Sequence, residues 1–232
     1  MTTIYLVRHG QASFGKTNYD ELSENGEAQA KLLGQYFKDL FTEQPYIISG
    51  SMKRHQQTTQ ISLEQCFPQA SYKTDSLWNE FNHQQVFALY EPKFSQPEVL
   101  KQDVFKEVDP RAYLAQIFDK AIARWADEVF HHEYDESWMT FQTRIEQALH
   151  NLCTELADKQ GSEVVVFTSG GVISVVIGKL LELSVQRTFA LSWSIANTSI
   201  TTLKLVNGEL QLLSLNEHQF IKSQQPDLLT WL

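Results

Sequence analysis

Only two cysteines, Cys66 and Cys153, occur in 232 residues. So sparse a set excludes a disulfide framework, and its spacing excludes a cysteine-based zinc site. Positive charge is also scarce, with 19 Lys and Arg against 28 Asp and Glu and a formal net charge of −9. A broad nucleic-acid-binding face does not fit that balance. No apolar run approaches the roughly 20 residues of a membrane span, and no basic, apolar, small-residue leader opens the chain. Internal repeats and low-complexity segments are missing too. These absences predict a cytoplasmic protein with neither nucleic acid nor membrane as a partner. On an acidic surface, an anionic ligand needs a local basic pocket.

What is present is an apolar core supply and a sharp N-terminal signal. Hydrophobic residues make up 42% of the chain, enough for one large α/β domain carrying an insertion. The run Thr3-Ile4-Tyr5-Leu6-Val7 reads as a strand buried on both faces, because polar alternation is lacking. It ends in Arg8-His9-Gly10. Ligands of open α/β sheets bind at the carboxyl ends of strands. Arg8 carries a permanent fork of donors suited to phosphate oxygens, and His9 is a nitrogen nucleophile or an acid/base group.

The remainder alternates strand, loop and helix. Gln11 to Asp20 reads as a loop, and Ser23 caps a helix carrying Ala28, Leu32, Leu33, Tyr36, Phe37 and Leu40 at helical spacing. Tyr46 to Ser49 is a second strand, Ser51 to about Cys66 a second helix, and Ser71 to Thr74 a third strand. From Phe81 to about Trp138 the texture changes to aromatics punctuated by prolines, read as a mostly helical insertion. Its longest helix is placed from Pro110 to Phe130. Most of its rings suit a subdomain core and some an aromatic-lined lid over the site. The adjacent His131-His132-Glu133 do not converge on one ion and read as a solvated helix end. A helix from Trp138 to about Lys159, closed by Gly161, precedes the strand Glu163 to Phe167. Thr168-Ser169-Gly170-Gly171 then opens a helix from Val172 to Leu181, a junction whose N–H groups suit an anion. Asn197 to Thr201 opens an alternating strand, and Asn207-Gly208 turns it into another, Glu209 to Leu215. The polar tail after Asn216 is expected to lie across the domain.

Three strand ends thus offer chemistry: Arg8-His9-Gly10, Ser49 to Arg54, and Thr168 to Gly171, with Glu80 shortly past the third strand. Together they resemble the histidine phosphatase superfamily, the phosphoglycerate mutase-like fold, from Ile4 to about Ile200. Leu22 to Ala30 is similar to the family's first-helix signature, and Ser49 to Thr58 to its second arginine motif. Glu136-Ser137 followed by Arg144 is similar to a later helix start. The resemblance implies a three-layer αβα fold with a mostly parallel sheet, one domain over 1–232 with the helical insertion at about 81–138. It also implies a metal-independent phosphatase without cofactor, acting on a small phosphorylated substrate. His9 would be the nucleophile, Arg8 and Arg54 the phosphoryl grip, and Glu80 the proton donor to the leaving oxygen. The aromatic-rich insertion offers a surface for a homodimer contact.

One position departs from the pattern. Where the family's buried strand ends in Ser or Thr, then His, then Gly, this chain has Ser169 in place of the second, pocket-lining histidine. The Ser169 hydroxyl and the Gly170 and Gly171 amides are expected to hold the phosphate without a positive charge. Losing one preorganised donor lowers rates by about 10²–10³-fold, so reduced activity is implied. Restoring imidazole by Ser169→His should keep or raise the rate, unless the pocket has repacked around serine. Among stand-in histidines, His55 follows Arg54 on a helix and is expected to point away, while His83 and His218 have no position the sequence defines. The competing readings are a phosphate-binding or regulatory protein without turnover and a phosphoglycerate mutase-like phosphotransferase. A serine-hydrolase reading of Ser169 fails, because the nucleophile elbow needs glycine where Phe167 stands. The physiological substrate is not encoded in any of these motifs.

Overall fold

In the computed structural model, which describes residues 2–13, 20–156 and 161–231, the N-terminal apolar run is β1 (Thr2–Arg8). Helix α1 (Glu24–Leu40) follows, capped by Ser23, whose side chain accepts from the Gly26 N–H at 3.1 Å. Next come β2 (Tyr46–Ser49), α2 (Lys53–Cys66) and the two-residue β3 (Lys73–Thr74). The insertion supplies α3 (His83–Tyr90), α4 (Pro97–Lys106) and α5 (Pro110–Ala126). The alternating pattern resumes with α6 (Trp138–Leu156), β4 (Glu163–Thr168), α7 (Gly170–Leu180) and α8 (Val185–Ser192). It closes with β5 (Ile200–Val206), β6 (Glu209–Glu217) and α9 (Gln219–Gln224).

The strands make one six-stranded sheet in the order β3-β2-β4-β1-β5-β6. β3, β2, β4 and β1 run parallel, and β5 and β6 are antiparallel additions at one edge. Both faces of the central strands are buried. Ile4, Leu6, Val164 and Val166 enter the core shared with α6, α7 and the insertion, while Tyr5, Val7, Val165 and Phe167 enter the core under α1 and α9. That alternation is why the strands read as unbroken apolar runs. Each such side chain contributes about 1.5–3 kcal/mol when fully buried, so this central pair is a rigid base. In its register Arg8 stands opposite Thr168, and the His9 N–H donates to the Thr168 carbonyl at 2.9 Å. His9 and Ser169 therefore leave the sheet side by side at its carboxyl edge.

Several boundaries differ from expectation for local reasons. The helix from Pro110 stops at Ala126, short of Phe130, because the Asp127 carboxylate accepts from the Val129 N–H and starts a separate 3₁₀ turn, Glu128–Glu133. Helix α7 starts at Gly170, ahead of Val172. β5 starts at Ile200 because Thr198, at φ 54°, breaks the extended backbone that Asn197 was expected to open. Helix α8 had no counterpart in the sequence reading; Ser184 caps it. The Gln11–Asp20 loop falls in part, at 14–19, outside the described residues, as does 157–160 at the end of the helix placed to Lys159.

The insertion's rings mostly face inward. Phe81 stacks on Trp125 at 4.6 Å, Trp138 lies 4.8 Å from Phe189, and Phe87, Phe94 and Tyr134 are buried in the same core. The subdomain-core reading accounts for them, with Phe105 left exposed. The tail does cross the domain: Phe220 and Ile221 are buried, Tyr36 stacks on Phe220 at 4.7 Å, and the Gln29 amide donates to the Leu228 carbonyl and the Thr230 hydroxyl. No helix of the described residues is long and apolar enough to cross a membrane.

Candidate active site

His9 is 6% exposed and its ring is fixed by a hydrogen bond between Nδ1 and the Gly10 carbonyl, 2.7 Å away. A carbonyl only accepts, so Nδ1 carries the proton and Nε2 holds the lone pair. The Arg54 Nε–H donates to that Nε2 at 3.1 Å. Burial pushes the His9 pKa well down, helped by the guanidinium charges of Arg54 and then Arg8. Desolvation thus outweighs the guanidiniums in keeping the imidazole neutral. The backbone is pinned as tightly: the Gly10 N–H donates to Thr58 Oγ1, and the His9 carbonyl accepts from the Thr198 N–H and the Asn197 amide.

Arg54 comes from the first turn of α2 and is 3% exposed. Its Nη1 donates to Asp20 Oδ1 at 2.7 Å, and Asp20 Oδ2 also accepts from the Lys53 N–H at 2.8 Å. One carboxylate therefore caps α2, whose own N-cap Met52 offers no side-chain bond, and aims the guanidinium at His9. Sequence reading missed Asp20; its only signal was an acid just ahead of the first-helix motif. Arg8 is anchored by two main-chain acceptors: its Nη1 donates to the Ile195 carbonyl and, at 2.9 Å, to the Trp231 carbonyl of the tail.

Glu80 reaches the site from the loop after β3. Its Oε2 accepts from the Gly171 N–H at 2.9 Å and its Oε1 from the Phe81 N–H at 3.2 Å. Gly171 has to be glycine for this approach, since a Cβ there would lie 2.3 Å from Glu80 Oε1. The expected phosphate role of the Gly171 amide thus gives way to holding Glu80 at the start of α7. Burial raises the Glu80 pKa, opposed by the Gly171 N–H, Arg54, the Phe81 N–H and Arg8. Burial prevails, which favours a carboxylic acid with a proton to give. The loop itself is clamped by Arg144: its Nη1 donates to the Leu77 and Asn79 carbonyls, while Nε and Nη2 form a bidentate pair with Glu136 at 2.6 and 2.9 Å. The Glu136…Arg144 spacing was visible in the sequence, its task was not.

Ser169 occupies the N-cap position of α7, with its hydroxyl 2.6 Å from His55 Nε2. His55 was expected to point away; instead its ring centroid lies 5.5 Å from that of His9. Position 55 on α2 faces the sheet because Arg54, His55 and Thr58 all pack inward at 3% exposure or less. The pocket is therefore packed around serine, and the condition attached to Ser169→His applies: a larger ring would displace His55. Gly170 lies beside Arg8, a Cβ there falling 3.5 Å from Arg8 Nε. His83 opens α3, its pKa pushed down to about 4 by burial and then by Arg54. The His218 ring is bonded to the Asn216 carbonyl and lies 6.5 Å from that of Trp231. Among the described residues no three His, Cys, Asp or Glu side chains converge to hold a metal ion, and Glu133 pairs with Arg124.

With these groups in place, residues 4–218 match the family model described as histidine phosphatase superfamily, branch 1. The chain belongs to that superfamily. Solved structures share the fold. A phosphoglycerate mutase from Bacillus anthracis aligns at 22% identity and TM-score 0.65, over 95% of both chains. A phosphoserine phosphatase from Entamoeba histolytica, crystallised with phosphoserine, aligns at 20% identity and TM-score 0.58, over 95% of this chain and 100% of its own. A mycobacterial glucosyl-3-phosphoglycerate phosphatase aligns at 20% identity and TM-score 0.58, over 93% and 99%. No curated protein matches in sequence.

Proposed function

We propose that this histidine phosphatase superfamily member is a metal-independent phosphatase that hydrolyses a small phosphomonoester through a phosphohistidine on His9. The observation that carries the reading is the His9 ring itself, with Nδ1 committed to the Gly10 carbonyl and a neutral Nε2 beside Arg54. Nε2 attacks phosphorus and forms the P–N bond as the P–O ester bond breaks. Protonated Glu80 gives its proton to the leaving oxygen. The resulting carboxylate then takes a proton from water, the water oxygen attacks phosphorus, and the P–N bond breaks to release phosphate. Arg8 and Arg54 hold the equatorial oxygens and offset the charge that develops there, with Ser169 and Gly170 beside them.

A second reading, a phosphate-binding protein without turnover, draws on Ser169, which brings no positive charge. A mutase is less well supported, since it would have to retain a bisphosphate while it turned over. The discriminating experiment is hydrolysis of an aryl phosphate with EDTA present, wild type against His9→Ala, with acid-labile phosphoenzyme measured in parallel. Turnover and label in the wild type alone support the phosphatase. Equal inertness of both proteins across a phosphomonoester panel excludes it.

A further inference from the structure

The His55–Ser169 contact has a defined polarity. His55 is fully buried and its Nδ1 has no hydrogen-bond partner among the described residues. That nitrogen faces Gly50, where a Cβ would fall 2.2 Å away. If the serine hydroxyl donated to Nε2, the neutral ring would carry its proton on Nδ1 and bury an unpaired N–H. If Nε2–H donates instead, only a bare lone pair is left at Nδ1. Buried donors are left unpaired more rarely than acceptors, so the second arrangement is favoured. Burial and the neighbouring Arg54 also hold the ring in its neutral form.

The Ser169 hydroxyl then accepts from His55 and keeps its own hydrogen to give. A serine at an N-cap ordinarily accepts from the N–H two or three residues on. Ser169 sits there in extended conformation, φ −121°, yet makes no such cap bond. No other partner of this hydroxyl is present among the described residues. The hydroxyl belongs to the residue that leaves the sheet edge beside His9, one position before Gly170, which borders Arg8, and its partner His55 has its ring 5.5 Å from that of His9.

We infer that His55 is a positioning residue that holds the Ser169 hydroxyl as a hydrogen-bond donor to the phosphoryl group on His9, the two side chains acting as one unit. The inference rests on the phosphatase reading and adds to it a residue that the strand-end motifs do not contain. It is tested with Ser169→Ala, His55→Ala, the double variant and His55→Gln, each checked for an unchanged melting profile. The readouts are kcat and KM for an aryl phosphate and affinity for orthovanadate by calorimetry. Each single alanine should lower kcat by about 10²-fold with little change in KM, the loss expected of one preorganised donor. Because the pair acts as a unit, the double variant should be within about 3-fold of the worse single, well short of the product. His55→Gln keeps a donor of similar reach and should regain about 10-fold over His55→Ala.

Multiplying losses, or no rescue by glutamine, overturns the unit. A wild type that turns over while vanadate affinity is unchanged across all variants overturns it too, and leaves the phosphatase standing. Wild type that neither hydrolyses phosphomonoesters nor binds vanadate overturns both.

Discussion

Gly171→Ala separates the proton-donor role of Glu80 from its structural role. The added Cβ would lie 2.3 Å from Glu80 Oε1 and 2.9 Å from Cδ and Oε2, so the carboxyl must swing away and release the Gly171 N–H. The displaced group is the free end of a side chain, and backbone need not move. In stability the terms nearly cancel. The lost hydrogen bond costs about 1–2 kcal/mol, and alanine in a helical turn gains about 0.5–1 kcal/mol over glycine. Activity has no such offset. A displaced general acid forfeits about 10²–10⁴-fold, chiefly where the leaving oxygen needs the proton. The assay compares an alkyl phosphomonoester with 4-nitrophenyl phosphate, whose phenolate departs without help. The expected result is a melting temperature close to wild type, a large fall in alkyl phosphate turnover and a much smaller fall for the aryl ester. Equal losses on both esters, or an unchanged alkyl rate, would refute the assignment of Glu80 as acid.

The pH–rate profile of kcat/KM should be bell-shaped. Its acid limb, protonation of His9, lies well below 6.5, because burial lowers that pKa. Its alkaline limb, loss of the Glu80 proton, lies above 4.5, and Glu80→Gln should remove it. Stability measured in urea should fall as pH drops below 6.5, since His83 stays neutral in the fold until about pH 4 while the unfolded chain takes up its proton. His83→Gln should flatten that slope by up to about 1.4 kcal/mol per pH unit, and parallel slopes would contradict the burial account. Arg144→Met removes the bidentate partner of Glu136 and the clamp on the Leu77 and Asn79 carbonyls. It should cost about 1–3 kcal/mol in chemical denaturation and lower kcat through Glu80, whereas wild-type kcat in a destabilised protein would show the clamp to be structural alone.

Elements with a strong local cause were legible. β1, β2 and β4 are short apolar runs with no polar alternation, and α1 carries its cap and its apolar stripe within its own residues. Elements set by neighbours were not. β5 starts where Thr198 turns left-handed beneath the His9 carbonyl, and α8 is held by Phe189 entering the aromatic core of the insertion. Of the site, Arg8, His9, Arg54, Ser169 and Gly170 converge at the carboxyl edge, and the Gly171 amide brings Glu80 to it. The aiming tasks of Asp20, Thr58, Asn197 and Trp231 were not legible, because these residues act on the site through hydrogen bonds to residues far from them in sequence.

The order of residues alone determined that three apolar strands would end in arginine, histidine, serine and glycine, because strand burial and the chemistry of those side chains are written locally. Only the folded arrangement decided that the α2 turn after Arg54 presents His55 inward, against Ser169. A histidine one step along a helix points outward or inward according to which face the sheet covers, and no local signal carries that choice.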